Sequence, residues 1–193
     1  IGYAYDEDWT YDGFHPWGYT SFDAYYRDVD TNTVELRFVS SDQWRLFNDT
    51  TSWVIGTRVK NNKEDLLRQY TYADGDFVSQ YQPITQAVYG QLESQLTNDL
   101  LLTFALRAEN YDFSYGDNAG LNGEHDSTML GGKLALSYQL GQQLVYASVS
   151  RGYKGAGINP DQNVSTDNRF YDEEYNWNYE IGMKGRLADQ LTS

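Results

Sequence analysis

Apolar and polar residues alternate in short runs along most of this chain, and the clearest run lies in Leu144–Asn159. Val145, Ala147 and Val149 fall on one side of a strand, because successive strand side chains point to opposite faces. Tyr146, Ser148 and Ser150 fall on the other. The same reading predicts seven more strands. Ile1–Asp8 alternates weakly, with Ile1, Tyr3 and Tyr5 against Gly2 and Ala4. Thr33–Ser41 sets Val34, Leu36 and Phe38 against Glu35 and Arg37. Thr51–Lys60 sets Trp53, Ile55 and Val59 against Gly56, Arg58 and Lys60. In Ile84–Leu96, Val88 and Leu92 oppose Tyr89 and Glu93. In Leu100–Glu109, Leu102, Phe104 and Leu106 oppose Thr103, Arg107 and Glu109. In Thr128–Leu140, Leu130, Leu134 and Leu136 oppose Lys133 and Ser137. Finally, Trp177, Tyr179, Ile181 and Met183 oppose Asn178, Glu180, Lys184 and Arg186.

The pattern predicts an all-β chain: an antiparallel up-and-down meander of about eight strands, with essentially no helix. Long irregular connections are expected after residues 8, 60, 110 and 154, and tight turns near 43, 98, 142 and 189. On this reading Asp6–Gly18 is an aromatic and acidic loop, followed by a short hairpin of its own at Thr20–Arg27. Asn61–Pro83, Asp112–Ser127 and Gly155–Glu173 are loops, rich in turn-forming residues. Alternation of this kind also describes a soluble antiparallel sheet with one wet face. Strands of ten to fourteen residues are long for a soluble domain and suit a tilted membrane-spanning strand.

Composition sharpens the picture. The chain carries a net charge of −14 and a mean hydropathy of −0.69, yet it has 18 Tyr, 8 Phe and 5 Trp. So many aromatics argue against disorder. No apolar run approaches the ~20 residues that a membrane helix needs, whereas barrel strands leave only short alternation. Of the 28 acidic residues, 20 lie in 1–30, 61–82, 110–127 and 152–174, so the negative charge sits at one end of the strands. The acidic balance argues against nucleic-acid binding. The absence of Cys excludes a disulfide scaffold and thiolate metal sites. Ile1 is not a start Met, and Leu191–Ser193 stops just after an expected turn, so the chain reads as a piece of a longer protein.

No catalytic constellation is visible. His15 and His125 are isolated from each other and lack the Glu spacing of a zinc helix. Asp74-Gly75-Asp76 and Asp117–Asp126 lack the spacing of a calcium loop. No cofactor motif and no metal site are expected.

The order of motifs resembles the barrel of TonB-dependent outer-membrane receptors. Val34-Glu-Leu-Arg-Phe-Val-Ser40 is similar to that family's Glu-x-Arg strand, and Trp53-Val-Ile-Gly56 to its Trp-x-x-Gly strand. Val88–Leu92 through Leu102–Arg107 resembles its next hairpin. Lys133–Tyr138, Tyr146–Asn159 with its Arg151-Gly-Tyr-Lys154 exit, and Tyr171–Arg186 complete the set. The resemblance covers 1–193 as part of a barrel, with the plug domain and the energy-coupling box absent.

It implies an outer-membrane location and active uptake of a ferric siderophore or a similar large scarce solute. The implied partners are the receptor's own plug, the TonB energy-coupling complex, and membrane lipid or lipopolysaccharide. The implied ligand contacts are loop aromatics and cations: Trp9, Tyr11, Phe14, Trp17, Tyr19, Tyr115, Arg151, Tyr153, Lys154, Arg169 and Tyr171. Such groups suit catecholate or hydroxamate ferric chelates through stacking, cation–π contact and charge. The acidic loops would instead favour a cationic or divalent-bridged ligand, or contact with lipopolysaccharide through calcium. Two other readings stay open: a complete small eight-stranded barrel with a structural or adhesive role, and a soluble β-sandwich that binds ligands with its loops.

Overall fold

The computed structural model describes residues 2–14, 20–161 and 164–185, with side chains from residue 23 onward. Eight strands form one antiparallel sheet in chain order. They are β1 (Gly2–Phe14), β2 (Thr20–Val39), β3 (Thr51–Tyr70), β4 (Phe77–Gln95), β5 (Leu100–Asp117), β6 (Asn122–Leu140), β7 (Gln143–Lys154) and, after two short strands, β10 (Glu174–Gly185). β8 (Gly157–Ile158) and β9 (Phe170–Tyr171) pair with each other inside the last long connection.

The register puts the apolar positions in shared rows. Leu92 is opposite Trp53 and Phe104; Phe104 is opposite Leu134, and Leu134 opposite Val149. Val145 is opposite Met183, and Ala147 opposite Ile181. One face therefore collects all these groups, as alternation requires. The other collects Glu35, Arg58, Ala87, Glu109 and Met129 in one row, and Arg37, Gly56, Tyr89, Arg107 and Gly131 in the next. The polar face is concave, with a hollow of ≈ 680 Å³ over these rows.

Among the described residues nothing covers the apolar face. Val34 is 71% exposed, Tyr179 75% and Ile181 83%, and Trp177 stacks on Tyr179 at 6.3 Å in the open. A β-sandwich would bury this face against a second sheet; here all eight long strands lie in one sheet, so that reading is set aside. A closed small barrel needs a ladder between β1 and β10. Among the described residues the order runs from β1 to β10 with both edges unpaired.

The strands are much longer than alternation suggested. β3 runs to Tyr70 and β4 starts at Phe77, so most of the expected loop 61–83 is hairpin. β5 runs to Asp117 and β6 starts at Asn122, so most of the expected loop 112–127 is hairpin too. Residues 2–14 and 20–32 pair as one ladder, which replaces the expected loop and its separate hairpin at Thr20–Arg27. The physical reason is common to all three. Above the apolar band the outward face is no longer apolar, so the apolar half of the alternation disappears while the ladder continues.

The reverse holds between β2 and β3. A tight turn was expected near 43, but residues 40–50 form a longer connection. It holds a 3₁₀ turn at Asp42–Trp44 and left-handed backbone at Phe47, Asn48 and Asp49. The expected turn near 189 lies outside the described residues.

Candidate functional site

The principal buried cluster lies at the outer end of the sheet, where the 71–76 and 118–121 turns and the 155–173 connection meet. Phe113, Tyr115, Leu121 and Ala156 form it, with Tyr81, Tyr111, Ile158 and Phe170 packed around them. Phe113 and Tyr115 share the face of Arg107 and Glu109, because β5 is unbroken from Leu100 to Asp117. The 155–173 connection is therefore folded over the polar, concave side of the wall. His125, opposite Phe113 in the ladder, stacks on its ring at 5.8 Å and lies 3.9 Å from Glu173 of that connection.

One arginine pins this arrangement. The Arg169 guanidinium donates to Asp117 Oδ2 at 3.1 Å, to the Asn159 carbonyl at 3.0 Å and to the Pro160 carbonyl at 3.0 Å. Asp117 is fully enclosed and also accepts from the Ala119 and Leu121 amides and the Tyr115 hydroxyl. Burial pushes the Tyr115 phenol up to about 12. Asn118 ties the next turn in, donating to the Asp76 carbonyl at 2.7 Å and accepting from the Val78 amide at 3.1 Å.

Beside this staple is a cavity of ≈ 990 Å³. Its walls include Tyr25, Leu66, Arg68, Tyr70, Tyr72 and Phe77, with Asp74, Asp76, Asn118 and Asn159–Asp161 around the rim. Arg68 is held between the rings of Tyr25 and Tyr70, at 5.0 and 5.2 Å, and Tyr72 meets Tyr70 edge-on at 5.5 Å. Arg68 is also bidentate to Asp23, at 2.8 and 2.6 Å. Those hydrogen bonds hold the Asp23 carboxyl below its usual value. Aromatic walls with a few fixed polar groups are the usual chemistry of a small-molecule site.

Deeper on the polar face, Arg107 pairs with Glu109, and the Tyr89 hydroxyl donates to Glu35. The ladder from β6 to β7 ends at Gly132–Arg151. Beyond it Tyr153 lies over Gly131; Arg107 Nε donates to its hydroxyl at 3.0 Å, and that hydroxyl donates to Glu109 at 3.3 Å.

The expected contact residues are scattered among these places. Trp9 and Tyr11 stand in the β1 ladder opposite Tyr25 and Asp23, and Phe14 opposite Thr20. Trp17 and Tyr19 lie outside the described residues. Tyr115 and Arg169 are 6% and 5% exposed and fully engaged within the chain. Arg151 stands in the row of Gly132 and Trp177, its guanidinium 4.0 Å from the Tyr175 ring, and is among the residues that line the ≈ 680 Å³ hollow. Lys154 lies 5.5 Å from the ring of Tyr171. Of the cavity's own walls, Arg68, Tyr70 and Tyr72 escaped the sequence reading because 61–83 read as a polar loop, and Tyr25 because Thr20–Arg27 read as a separate short hairpin. The signal that could have found them is Leu66-Leu67-Arg68-Gln69-Tyr70-Thr71-Tyr72, whose even positions carry Leu, Arg, Tyr and Tyr on one face.

A long-stranded sheet with a bare apolar exterior, a charged concave interior and a packed mouth defines the wall of an outer-membrane β-barrel. The β-barrel model of the TonB-dependent receptor-like proteins matches residues 1–193, and the chain belongs to that family. The family resides in the outer membrane and is a receptor and transporter class rather than an enzyme class.

Among solved structures, the fold is similar to the ferric yersiniabactin uptake receptor FyuA from Yersinia pestis, with a TM-score of 0.65 and 23% identity. That likeness covers 88% of this chain and 27% of that one. It is also similar to BauA, the ferric preacinetobactin receptor from Acinetobacter baumannii, with a TM-score of 0.61 and 14% identity over 96% of this chain and 31% of that one. The chain thus spans about a quarter to a third of the length of these receptors. No curated protein matches the sequence.

Proposed function

We propose that this chain is one sector of the barrel of an energy-coupled outer-membrane receptor that takes up a ferric siderophore or a similar large scarce solute. The observation that carries the reading is the aromatic cavity at the outer end, on the same face as the charged interior. A solute seated there stands at the entrance to the lumen. Tyr25, Tyr70 and Tyr72 supply faces for stacking and edge contacts, each contributing on the order of 0.5–1.5 kcal/mol. The Arg169 staple keeps the walls in place before the solute arrives, which lowers the ordering cost of binding.

The interior rows have the chemistry to hold the receptor's own plug. Arg37, Arg58, Arg107 and Lys133 outnumber Glu35 and Glu109 around the ≈ 680 Å³ hollow. A plug surface with acidic and hydrogen-bonding groups would complete them, and the coupling complex would act on that plug. The apolar exterior would meet lipid, and the acidic outer extensions the headgroup and lipopolysaccharide region.

The test is uptake in cells. Deleting the gene in its host should abolish energy-dependent accumulation of radiolabelled iron from at least one ferric chelate. Restoring the gene with an intact coupling box should recover it, and restoring it without that box should not. Unchanged accumulation for every chelate offered would remove the siderophore reading.

A further inference from the structure

The outer end of this chain is strongly and one-sidedly charged. The segments 1–30, 61–82, 110–127 and 152–174 carry twenty acidic and five basic residues, a net of −15, while the remainder carries +1. All five bases are engaged inside the chain. Arg27 pairs with Glu64 at 3.0 Å, Lys63 with Asp65 at 2.5 Å, Arg68 with Asp23 and Arg169 with Asp117. Lys154 faces the ring of Tyr171. The cavity thus has a guanidinium in its wall whose charge is already answered by a bidentate carboxylate. Around it stand the exposed Asp74 and Asp76. A site meant for a polyanion keeps cations in reserve for it; among the described residues this one keeps none.

Resting on the reading of this cavity as a solute site, we infer that it selects by charge: it takes a neutral or cationic ligand with flat apolar faces and rejects polyanionic ones. For ferric chelates the consequence is chemical. Three hydroxamates balance the ferric charge and leave a neutral complex, whereas three catecholates leave a trianion. The tyrosine faces attract a pendant ammonium, and the surrounding carboxylates steer it inward. A trianion meets the same carboxylates as repulsion, which salt screens over a Debye length of about 10 Å at 0.1 M.

Two measurements on the intact receptor separate this inference from the proposed uptake function. The first reads the field alone. Ala119 is exposed on the cavity rim, and this chain has no native Cys. In Ala119→Cys, the reaction rates with a cationic and an anionic methanethiosulfonate are compared with those of a small free thiol. The ratio should favour the cationic reagent roughly tenfold more than for the free thiol in low salt, and should collapse at high salt. A ratio at or below that of the free thiol overturns the inference.

The second reads binding of three ferric chelates: ferrioxamine B, which bears a free ammonium; its neutral N-acetylated form; and a synthetic tris-catecholate trianion. The first two should bind at least about tenfold more tightly than the third, with the gap narrowed in Asp74→Asn/Asp76→Asn. A trianion that binds best overturns the charge selection and leaves the siderophore reading standing. A cation-favouring thiol ratio with no chelate bound supports the charge selection and counts against the siderophore reading.

Discussion

Tyr89 and Tyr146 show what single residues contribute to this wall. Each ring lies over a glycine of the neighbouring strand, Gly56 and Gly182, where an added Cβ would come within 2.5 Å of the ring. The glycines let the rings lie flat along the polar face, and the hydroxyls then reach Glu35 and Glu180. Gly56→Leu should force Tyr89 off its seat, break its bond to Glu35 and destabilise the folded barrel by about 1–3 kcal/mol, as overpacking does. Loss of heat-resistant mobility in detergent gels at a lower temperature would show it; an unchanged transition would contradict it. Asp23 makes a second residue-scale prediction. Its carboxyl is held down by Arg68, so the pair stabilises the fold above the ordinary carboxylate value of about 3.9 and the stabilisation fades as pH falls below it. Amide exchange at 23–26 and 67–70 should therefore accelerate only in that acid range, and Asp23→Asn should remove the dependence. At this scale the sequence was partly legible. Alternation assigned Val88, Leu134 and Lys133 to their faces, because lipid-like and polar surroundings impose period two. Tyr153 was not assignable, since it joins Arg107 only because β7 leaves the β6 ladder at Arg151.

At the scale of elements, half of each long strand answers to a different solvent. β3 and β4, with 20 and 19 residues, would span about 60 Å, whereas a tilted strand crosses a bilayer in roughly 9–11 residues. The lower halves alternate cleanly and were legible. The upper halves are wet on one side and packed under a loop on the other, so polarity alone reads as loop. Connection 155–173 was recognised as irregular, but its inward fold depends on contacts with Gly123, Phe113 and Asp117 that lie 30 or more residues away in the chain. Arg169 carries most of that fold. Arg169→Ala leaves the enclosed Asp117 carboxylate without its cation, and breaking a buried pair costs about 3–5 kcal/mol. Connection 155–173 should become the first site of proteolysis while the strands below keep their protection. Asp117→Asn should do the same, and Arg169→Lys should restore only part of the protection, because an ammonium cannot reach all three acceptors in the guanidinium fork. Uniform loss of protection across the sheet, or none, would contradict the clamp.

At the scale of the molecule, the sheet is stable only in company. Among the described residues its two edges present unpaired backbone groups and its apolar face is uncovered. In hydrocarbon each unsatisfied backbone group costs several kcal/mol, so on the proposed reading the strands of a closed cylinder would meet β1 and β10. On the proposed reading, the membrane and not a second protein layer is the partner of Val34, Ile55, Leu134 and Ile181. The direct test places single spin labels at Leu134→Cys, Lys133→Cys and Asp126→Cys in the intact receptor, reconstituted in lipid, and compares relaxation by oxygen with relaxation by a water-soluble nickel complex. The label at 134 should be relaxed by oxygen and shielded from nickel, that at 133 should respond to nickel across the lumen face, and that at 126 should stand in water outside the bilayer. Labels at 133 and 134 that report the same phase, or the inverse of these phases, would contradict the assignment of this wall to the membrane.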